Sequence, residues 1–271
     1  MAPVLASVLL TLTACAGTAG APAGSATVSA PVPAGPWRLV LDEEFDGREL
    51  DPALWTTCYD WNKGGCTISS NDESQWYLPR QVSVRDGELI LTAERRETRG
   101  SDGKTYPWRS GMVSTGRDHW DGEPRRTFTY GYVEASIRIP AEGGMFPAFW
   151  MMPASRFTPP EIDVMEFLDS TTRVSMYVHW TGPGGERERQ RGTYGPGDFS
   201  ARFHVFGLLW EPDALVWYVD GIERLRVTDP ERIPDVPMEV LVNLAVGVPK
   251  EPPPSVDRAR MTVDWVRVWQ H

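Results

Sequence analysis

Several features that would direct a functional assignment are missing from this sequence of 271 residues. Its formal net charge is −10, and Lys and Arg form no long run. Because nucleic-acid binding requires a coherent cationic surface, this balance argues against a nucleic-acid partner. No segment beyond the N-terminus is apolar and long enough to be a transmembrane helix. Capped helical periodicity is nearly absent and no repeat of fixed period is present, so helical bundles and solenoids are excluded.

The arginines cluster only locally, in "RRETR" (residues 95–99) and "RERQR" (residues 187–191). Short charge runs of this kind are typical of solvated loops, and we interpret both segments in that way. Hydrophobic residues make up 41% of the chain and charged residues 24%, so a packed globular core is feasible.

Residues 1–14 resemble a secretory signal peptide, and their apolar stretch is too short to span a bilayer as a helix. The segment "LTAC" (residues 12–15) is similar to a bacterial lipobox, which predicts cleavage before Cys15 and lipid attachment to it. A plain secretion signal with an incidental cysteine is the alternative. We therefore expect an extracellular or cell-surface protein that contacts the membrane only through a lipid anchor.

Residues 16–36 contain only Ala, Gly, Pro, Ser, Thr and Val, a composition that predicts a flexible tether. We thus expect an anchor cysteine and linker over residues 15–36 and one domain over residues 37–271. If Cys15 carries the lipid, Cys58 and Cys66 remain as an even pair in an exported protein. A disulfide across "CYDWNKGGC" is one interpretation, and free thiols are the other.

Short alternating runs, separated by Gly, Pro and Asp, follow one another from Trp37 to the C-terminus. The Asp-Gly pairs at 86–87 and 220–221 predict hairpins between them. This pattern favours an all-β fold, an antiparallel sandwich of two sheets packed face to face. Four tryptophans are expected to fill its core: Trp210, Trp217, Trp265 and Trp269.

The stretch "PPEIDVMEFLDS" (residues 159–170) places carboxylates in a run that otherwise reads as a buried strand. Glu161 and Asp163 share one side of a strand, whereas Glu166 lies an odd number of positions from Glu161 and points to the other. A β-bulge between Val164 and Glu166 absorbs one residue and returns Glu166 to the acidic side. We therefore predict a bulge and three carboxylates on one surface.

Two carboxylates that face each other across a cleft are the working groups of a glycosidase, about 5–5.5 Å apart in a retaining enzyme. Asp163, which lies between the two Glu residues, is expected to hydrogen-bond one or both of them and to separate their protonation states. A solvated acidic strand face and a calcium site are the alternatives. The neighbouring segments "GGMFPAFWMMP" and "VSMYVHW" favour the glycosidase, because they carry the aromatic and polar groups of a carbohydrate cleft.

The chain resembles glycoside hydrolase family 16, most closely its laminarinase-like branch. The motifs that carry the resemblance are "LDEEFDG", "NDESQWY", "DGELILTA", "YGYVEASIRIP", "FPAFWMMP", "EIDVMEFLD", "FGLLWEPDALVWYVDG", "VNLAVG" and "VDWVRVWQ". The resemblance implies a β-jelly-roll sandwich with a substrate groove along its concave sheet. It also implies retaining hydrolysis of β-glycosidic bonds without an organic cofactor.

By this resemblance, Glu161 is the nucleophile, Glu166 the acid/base and Asp163 the assisting carboxylate. His179 matches a histidine of the next strand that faces the catalytic pair, and a packed structural side chain is its alternative. Trp150 matches the cleft tryptophan of "PAFW", with a place in the core as its alternative.

Further positions that match the family's sugar contacts in the donor subsites are Asn71, Trp76 and Asn243. Phe146 stands where the branch usually has Trp, and it offers a smaller apolar face to a sugar ring. The segments "SGM" (residues 110–112) and "VPKEPPP" (residues 248–254) also depart from the branch. All three departures lie where glycan specificity is set.

The family often carries a structural calcium on the convex side. The matching positions here are Glu44, Gly87 and Asp264, through backbone oxygens and the Asp264 carboxylate, which suits a hard cation.

We expect a retaining endo-glycosidase, acting as a monomer on β-1,3 or mixed β-1,3-1,4 glucan, with a polysaccharide as its partner. A β-galactan hydrolase or a transglycosylase of the same fold remains open, although the net charge of −10 disfavours a strongly sulfated galactan. A non-catalytic jelly-roll lectin is a third candidate, but a lectin has no need for an acid/base pair.

Overall fold

A computed structural model gives the fold of residue 1 and of residues 35–58, 65–168 and 170–271. The predicted signal peptide, Cys15 and the linker up to residue 34 lie outside these ranges, so those predictions stay untested. The described residues form sixteen strands and three short 3₁₀ segments. The strands are β1 (Arg38–Glu43), β2 (Gln75–Tyr77), β3 (Val82–Arg85), β4 (Glu88–Arg99), β5 (Thr105–Ser110), β6 (Met112–Ser114), β7 (Gly131–Arg138), β8 (Met145–Pro153), β9 (Glu161–Glu166), β10 (Val174–Thr181), β11 (Arg187–Tyr194), β12 (His204–Glu211), β13 (Ala214–Val219), β14 (Ile222–Val227), β15 (Met238–Val246) and β16 (Arg258–Gln270). The 3₁₀ segments are Ser69–Asn71, Pro79–Gln81 and Pro230–Arg232.

The strands form two sheets. One has ten strands, with the path β14-β13-β12-β7-β16-β4-β5-β2, to which β1 is added on β16 and β3 on β4. The other has six, in the order β11-β10-β9-β8-β15-β6. All described pairings are antiparallel except that between β2 and β5. The predicted antiparallel jelly-roll sandwich is confirmed.

Both Asp-Gly pairs form the hairpin turns predicted for them. Asp86 and Gly87 have φ of 56° and 77° between β3 and β4, and Asp220 and Gly221 have 50° and 75° between β13 and β14. Two successive residues with positive φ match the right-handed twist of the flanking strands, and Asp-Gly adopts that conformation readily. These turns set the register of the ten-stranded sheet.

The six-stranded sheet has two apolar faces. On β8, Phe149 and Met151 enter the core between the sheets, whereas Phe146 and Trp150 belong to a separate cluster on the opposite face. β15 alternates in the same way, with Leu241 on the second face. Strands that are covered on only one side usually alternate apolar with polar residues. The second apolar face is therefore covered as well, and its residues are at most 7% exposed, packed against side chains that include Ile68, Leu168 and Val248.

The tryptophan predictions are right for two positions and wrong for two. Trp210 and Trp217 are fully buried in the core between the sheets. Trp265 and Trp269 instead lie on the other face of β16, where Trp269 contacts Tyr132. The physical reason is a bulge beside Asp264, where the pairing with β7 shifts register and the faces of the following residues exchange.

Cys58 and Cys66 form a disulfide, as one of the two interpretations predicted, with their Cα atoms 5.2 Å apart. The loop between them, residues 59–64, lies outside the described part of the chain. Cys66 packs beside the second apolar face of the six-stranded sheet, so the disulfide fixes the chain next to that face. Across the described residues, no helix has the length and apolar character needed to cross a membrane.

Candidate active site

A one-residue bulge in β9 brings the three acidic side chains to one face. Against β8, Met165 pairs with Phe149 and Asp163 with Trp150, which leaves Val164 as the extra residue. The pairing with β10 shifts at the same place. Val164 and Met165 both enter the core between the sheets although they are consecutive. The predicted bulge is present, centred on Val164.

The backbone at the bulge is held from across the core. Trp217 of β13 donates its indole Nε1–H to the carbonyl oxygen of Asp163, at 2.9 Å. A bulge breaks the ladder locally and leaves a backbone group in need of a partner. The opposite sheet supplies that partner here, which fixes the kink on which the acidic cluster depends.

Glu161, Asp163 and Glu166 line a cleft of about 550 Å³ on the second apolar face of the six-stranded sheet. The cleft crosses the strands, with the three acids of the central strand β9 in the middle. We call one end, formed by Asn71, Phe146, Trp150 and Asn243, the amide end. At the other end, the β11 side chains Arg187 and Arg189 line the cleft, and we call them, together with the exposed Arg191 two residues further along the strand, the arginine edge.

Glu161 is bound by a guanidinium group. Arg187 donates from Nη2 to the Glu161 carboxylate at 2.6 Å, and its Nη1 reaches the hydroxyl of Thr158 at 3.1 Å. Arg187 Nε also donates to Nδ1 of His179 at 3.3 Å. One arginine therefore orients a carboxylate and an imidazole together.

His179 faces the acidic cluster, as the resemblance implies. Its Nε2 lies 3.1 Å from Asp163 Oδ2 and 3.6 Å from Glu161 Oε1. Because Nδ1 accepts from Arg187, the proton belongs on Nε2, which then donates to Asp163. Burial, followed by the charges of the nearby arginines, lowers the pKa of His179 to about 4 and outweighs the opposing effect of Glu161, so the imidazole is neutral. The expected hydrogen bond from Asp163 to a Glu is replaced by this contact.

The two Glu residues differ in what surrounds them. Burial, then the charge of Asp163, raises the pKa of Glu161 to about 7, and Arg187 and His179 act against that rise. The pKa of Glu166 is raised well above its usual value by burial and then by the charges of Asp163 and Glu161. Asp163 is itself buried, which raises its pKa to about 7. The cluster thus favours an ionised Glu161 beside a protonated Glu166.

A hydrogen-bonded chain organises the amide end. Trp150 donates from its indole nitrogen to Asn243 Oδ1 at 2.7 Å, and Asn243 donates from Nδ2 to the hydroxyl of Tyr77 at 3.0 Å. All three side chains are buried. Phe146 lines the cleft on the same strand as Trp150. The aromatic face and the amide are therefore held in position before any ligand arrives.

Sequence reasoning missed Glu73, a buried carboxyl in the wall of the amide end. It accepts hydrogen bonds from Gln75 Nε2 at 2.6 Å and from Asn71 Nδ2 at 3.2 Å. Burial raises its pKa to about 7 against these bonds. The signal was the acidic position inside "NDESQWY", which the resemblance had used only for Asn71 and Trp76.

The structure does not bring Trp76 into the cleft, so this predicted sugar contact is wrong. Side chains alternate along β2, and Tyr77 is the one that points to the cleft face. The Trp76 ring packs on Tyr106, with centroids 5.3 Å apart. Asn71, Phe146, Trp150, His179 and Asn243 do line the cleft.

The interpretation of "RRETR" and "RERQR" as solvated loops is also wrong, because both segments lie in strands, and "RRETR" forms the end of β4. Residues 187–191 form the first part of β11, which pairs along its length with β10. The side chains alternate between exposed arginines and half-buried Glu188 and Gln190. The alternation of Arg with other residues at every second position is typical of a strand, and this pattern was overlooked because the segment is so highly charged.

Two groups of residues have oxygen or nitrogen atoms that could bind a metal ion, one in the acidic cluster and one at the predicted calcium positions. Among the residues that the structure describes, only Glu161, Asp163 and His179 group acidic or histidine ligand atoms, within 4.8 Å of one another. Arg187 already supplies a positive charge there. At the predicted calcium positions, Asp264 accepts from Ser136 at 3.2 Å, and the Glu44 carboxylate is held by Arg267 at 2.8 Å, so only the backbone oxygen of Glu44 fits a ligand set. Calcium binding by Glu44, Gly87 and Asp264 stays a prediction.

A family model described as glycosyl hydrolases family 16 matches residues 70–267. The chain belongs to glycosyl hydrolases family 16. The match includes the acidic cluster, the amide end and the arginine edge. Family 16 membership, together with the fold, confirms the resemblance seen in the sequence motifs.

The chain is also similar in sequence to individual glycanases and glucanases. The chain is 30% identical to the endo-1,3-1,4-beta-glycanase ExsH of Rhizobium meliloti, over 84% of this chain and 51% of that protein. It is 32% identical to a beta-glucanase of Rhodothermus marinus, over 86% of this chain and 85% of that protein. The chain thus spans about half the length of the first curated relatives that it matches.

A solved structure shows the same fold. The catalytic domain of an endo-1,3-beta-glucanase (laminarinase) from Thermotoga petrophila aligns with a TM-score of 0.72 at 28% identity. The alignment covers 86% of this chain and 98% of that domain. The aligned part of the chain therefore shares the fold of nearly the whole of that catalytic domain.

Proposed function

We propose that this protein is a retaining endo-glycosidase that hydrolyses β-1,3 or mixed β-1,3-1,4 glucan. The observation that carries the proposal is the bulge at Val164, which directs the side chains of Glu161, Asp163 and Glu166 into the same cleft. In this acidic cluster, which is buried beside aromatic side chains, one carboxyl group is ionised while another stays protonated. Glycoside hydrolysis requires both states. The names of the family 16 relatives support the glucan linkage class.

In the first step, Glu161 attacks the anomeric carbon as a carboxylate while Glu166 gives its proton to the departing glycosidic oxygen. The bond between the anomeric carbon and that oxygen breaks, and an ester between the sugar and Glu161 forms. Arg187 holds the Glu161 carboxylate in place and favours its ionised form. The raised pKa of Glu166 keeps the required proton available.

In the second step, water occupies the place of the departed sugar. Glu166, now ionised, takes a proton from the water, whose oxygen attacks the anomeric carbon and releases Glu161. The product keeps the β configuration, because two displacements occur at the same carbon. Asp163 remains bound to His179 throughout, so its charge helps return Glu166 to the protonated state.

The amide end is the proposed donor side, where Trp150 offers an apolar face to a pyranose ring and Asn243 fixes the direction of its indole. Asn71 and Phe146 complete the contact surface at this end. No organic cofactor is needed by this mechanism.

We also propose that the protein is exported, that Cys15 carries a lipid anchor and that residues 16–36 act as a tether. The sequence of residues 12–15 and the composition of residues 16–36 support this proposal. The Cys58–Cys66 disulfide supports an oxidising location as well. Labelling with a radioactive fatty acid, compared between the wild type and Cys15→Ser, tests the anchor.

The function is tested with purified protein on laminarin, barley β-glucan and a neutral galactan. We expect release of reducing ends from at least one glucan, with an endo pattern of products, and a β anomer as the first product by proton NMR. Binding without turnover would favour the lectin, turnover of galactan alone would favour the galactanase, and transfer to added oligosaccharide in place of hydrolysis would favour the transglycosylase.

A further inference from the structure

The arginine edge carries more positive charge than the acidic cluster uses. Arg187 is paired with Glu161. Arg189 and Arg191 follow at alternate positions of β11, so all three side chains point to the same face. Within the described residues, no ion pair is formed by Arg189 or Arg191. Two exposed guanidinium groups therefore lie on β11, separated from β9 by β10, without an ion-pair partner in the part of the chain that the structure describes.

The position of these two groups is set by the sheet register. Arg189 lies opposite His179 and Arg191 opposite Tyr177, in the rows that continue to Glu161 and Asp163 on β9. Arg189 also lines the cleft itself. A sugar chain that crosses the strands from the amide end past β9 meets this part of β11 next.

Tyr177 holds both guanidinium groups above the cleft face. The Cζ atoms of Arg189 and Arg191 lie 5.7 and 5.5 Å from the centroid of its ring. Arg191 is fixed further by a 2.8 Å hydrogen bond from Nη2 to the hydroxyl of Ser175. Because both arginines contact one buried aromatic ring, their guanidinium groups are positioned before a ligand binds and do not move freely.

The half-buried side chains of β11 support this interpretation. Glu188 and Gln190 point to the other face, and Gln190 accepts from Arg232 there at 2.9 Å. The strand thus keeps its one acidic residue between the arginines away from the cleft. In a protein whose net charge is −10, this separation makes a local cationic surface that the overall charge does not reveal.

We propose that Arg189 and Arg191 form a subsite for an anionic group carried by the sugar chain, so that the preferred substrate is an acidic β-glucan. A guanidinium group binds a carboxylate or a sulfate through two parallel hydrogen bonds, and a neutral sugar offers no such partner. The subsite lies on the side of β9 opposite the amide end, which is the acceptor side of the proposed mechanism. The inference rests on the proposed glucanase function.

The competing explanation is that the two arginines only offset the negative charge of the acidic cluster. Both lower the pKa of Glu166, although burial and its acidic neighbours outweigh them. Removal of either arginine would then change the hydrolysis of every glucan by the same factor. The ratio between an acidic and a neutral substrate separates the two explanations.

The experiment compares barley β-glucan with the same glucan lightly oxidised at its primary hydroxyl groups to carboxylates, and with a lightly sulfated sample. We expect the wild type to favour a charged sample in kcat/KM, and the Arg189→Gln/Arg191→Gln double variant to reduce that ratio about tenfold, as loss of charge-assisted hydrogen bonds predicts. Arg260→Gln removes an exposed charge from β16, outside the cleft, and serves as the control with an unchanged ratio. The oxidised and sulfated samples show which anion is preferred.

A binding measurement keeps the test independent of turnover. In a Glu166→Gln background, calorimetry gives the dissociation constants for neutral and carboxylated oligosaccharides, with and without the arginine substitutions. Tighter binding of the carboxylated chain that disappears in the double variant supports the subsite. An equal affinity for both chains, or a preference that survives in the double variant, overturns it. Absence of cleavage of any glucan by the wild type refutes the proposed function alone, and the binding result still decides the subsite.

Discussion

The two ends of the cleft are built in opposite ways. The amide end lies on strands β8 and β15, where Trp150 and Asn243 are buried and joined by a hydrogen bond. The arginine edge lies on β11, which ends the six-stranded sheet, and its charged side chains are exposed. One end is a buried, apolar wall and the other is an exposed, charged rim.

This difference shows how a cleft can divide its tasks. Recognition of a neutral sugar ring depends on shape, so it needs side chains that are locked by packing and hydrogen bonds. Recognition of a charge depends on guanidinium groups that attract an anion from a distance and then bind it through hydrogen bonds, so these groups can stay exposed. The acidic cluster on β9 lies between the two and takes one contact from the arginine edge, through Arg187.

Substitutions in the acidic cluster, which lies between the two ends of the cleft, are expected to have the largest effect. Glu161→Gln and Glu166→Gln should each lower the release of reducing ends by about 10³-fold or more. An aryl glucoside with a leaving group that needs no proton distinguishes their roles, since the Glu166 variant should keep its first step and the Glu161 variant should not. Equal activity of the two variants on that substrate would contradict the assigned roles.

The rigidity of the amide end is tested by Asn243→Leu. The substitution keeps the approximate volume but removes the acceptor for Trp150 and the donor to the Tyr77 hydroxyl. We expect the free energy of unfolding to fall by about 2–3 kcal/mol, measured by denaturant unfolding. Arg189→Gln at the exposed edge is the matched control and should stay within about 0.5 kcal/mol. A similar loss of unfolding free energy in both variants would show that the two ends of the cleft do not differ in rigidity.

The charge of the amide end is tested through Glu73. Its pKa is raised from 4.5 to about 7 by burial, so the folded protein holds a proton there that the unfolded chain has lost. Stability should therefore fall as the pH rises from 4.5 to 7 and then stay level, by about 3 kcal/mol for this group. Glu73→Gln, which resembles the protonated carboxyl, should remove that part of the decline in denaturant unfolding at several pH values. Glu97→Gln, at an exposed position, should leave the decline unchanged.

The link between the arginine edge and the centre gives the smallest expected effect. Arg187→Gln removes the guanidinium that favours ionised Glu161, so the pKa of Glu161 should rise. We expect kcat/KM to fall about tenfold on the acidic limb of the pH profile and by less than about twofold at its alkaline end. Arg187→Lys should recover part of the loss. A uniform fall across the pH range would mean that Arg187 acts only as a structural contact.

The central feature of the site could be predicted because burial of a carboxylate is costly. The odd spacing of Glu161 and Glu166 left a bulge as the simplest way to keep both out of the core. The structure confirms the bulge and places it on Val164. Strong physical penalties of this kind leave few alternatives, so a short sequence is enough to infer the outcome.

Features that depend on strand register could not be predicted in the same way. A shift of one residue reverses the face of every side chain, and the sequence of β2 alone does not decide whether Trp76 or Tyr77 meets the cleft. The faces of Trp265 and Trp269 depend likewise on the bulge at Asp264. The contact between Arg187 and Glu161 joins two strands that are not neighbours in the sheet, so it requires the whole β9-β10-β11 register.

The edge position of β11 has a consequence for how such a protein can change over generations. Exposed side chains on an outer strand can be exchanged at little cost to stability, whereas the bulge of β9 is held by Trp217 from the opposite sheet. Substitutions on β11 can therefore accumulate and change which charged groups the cleft binds, while the bulge and its three carboxylates are retained.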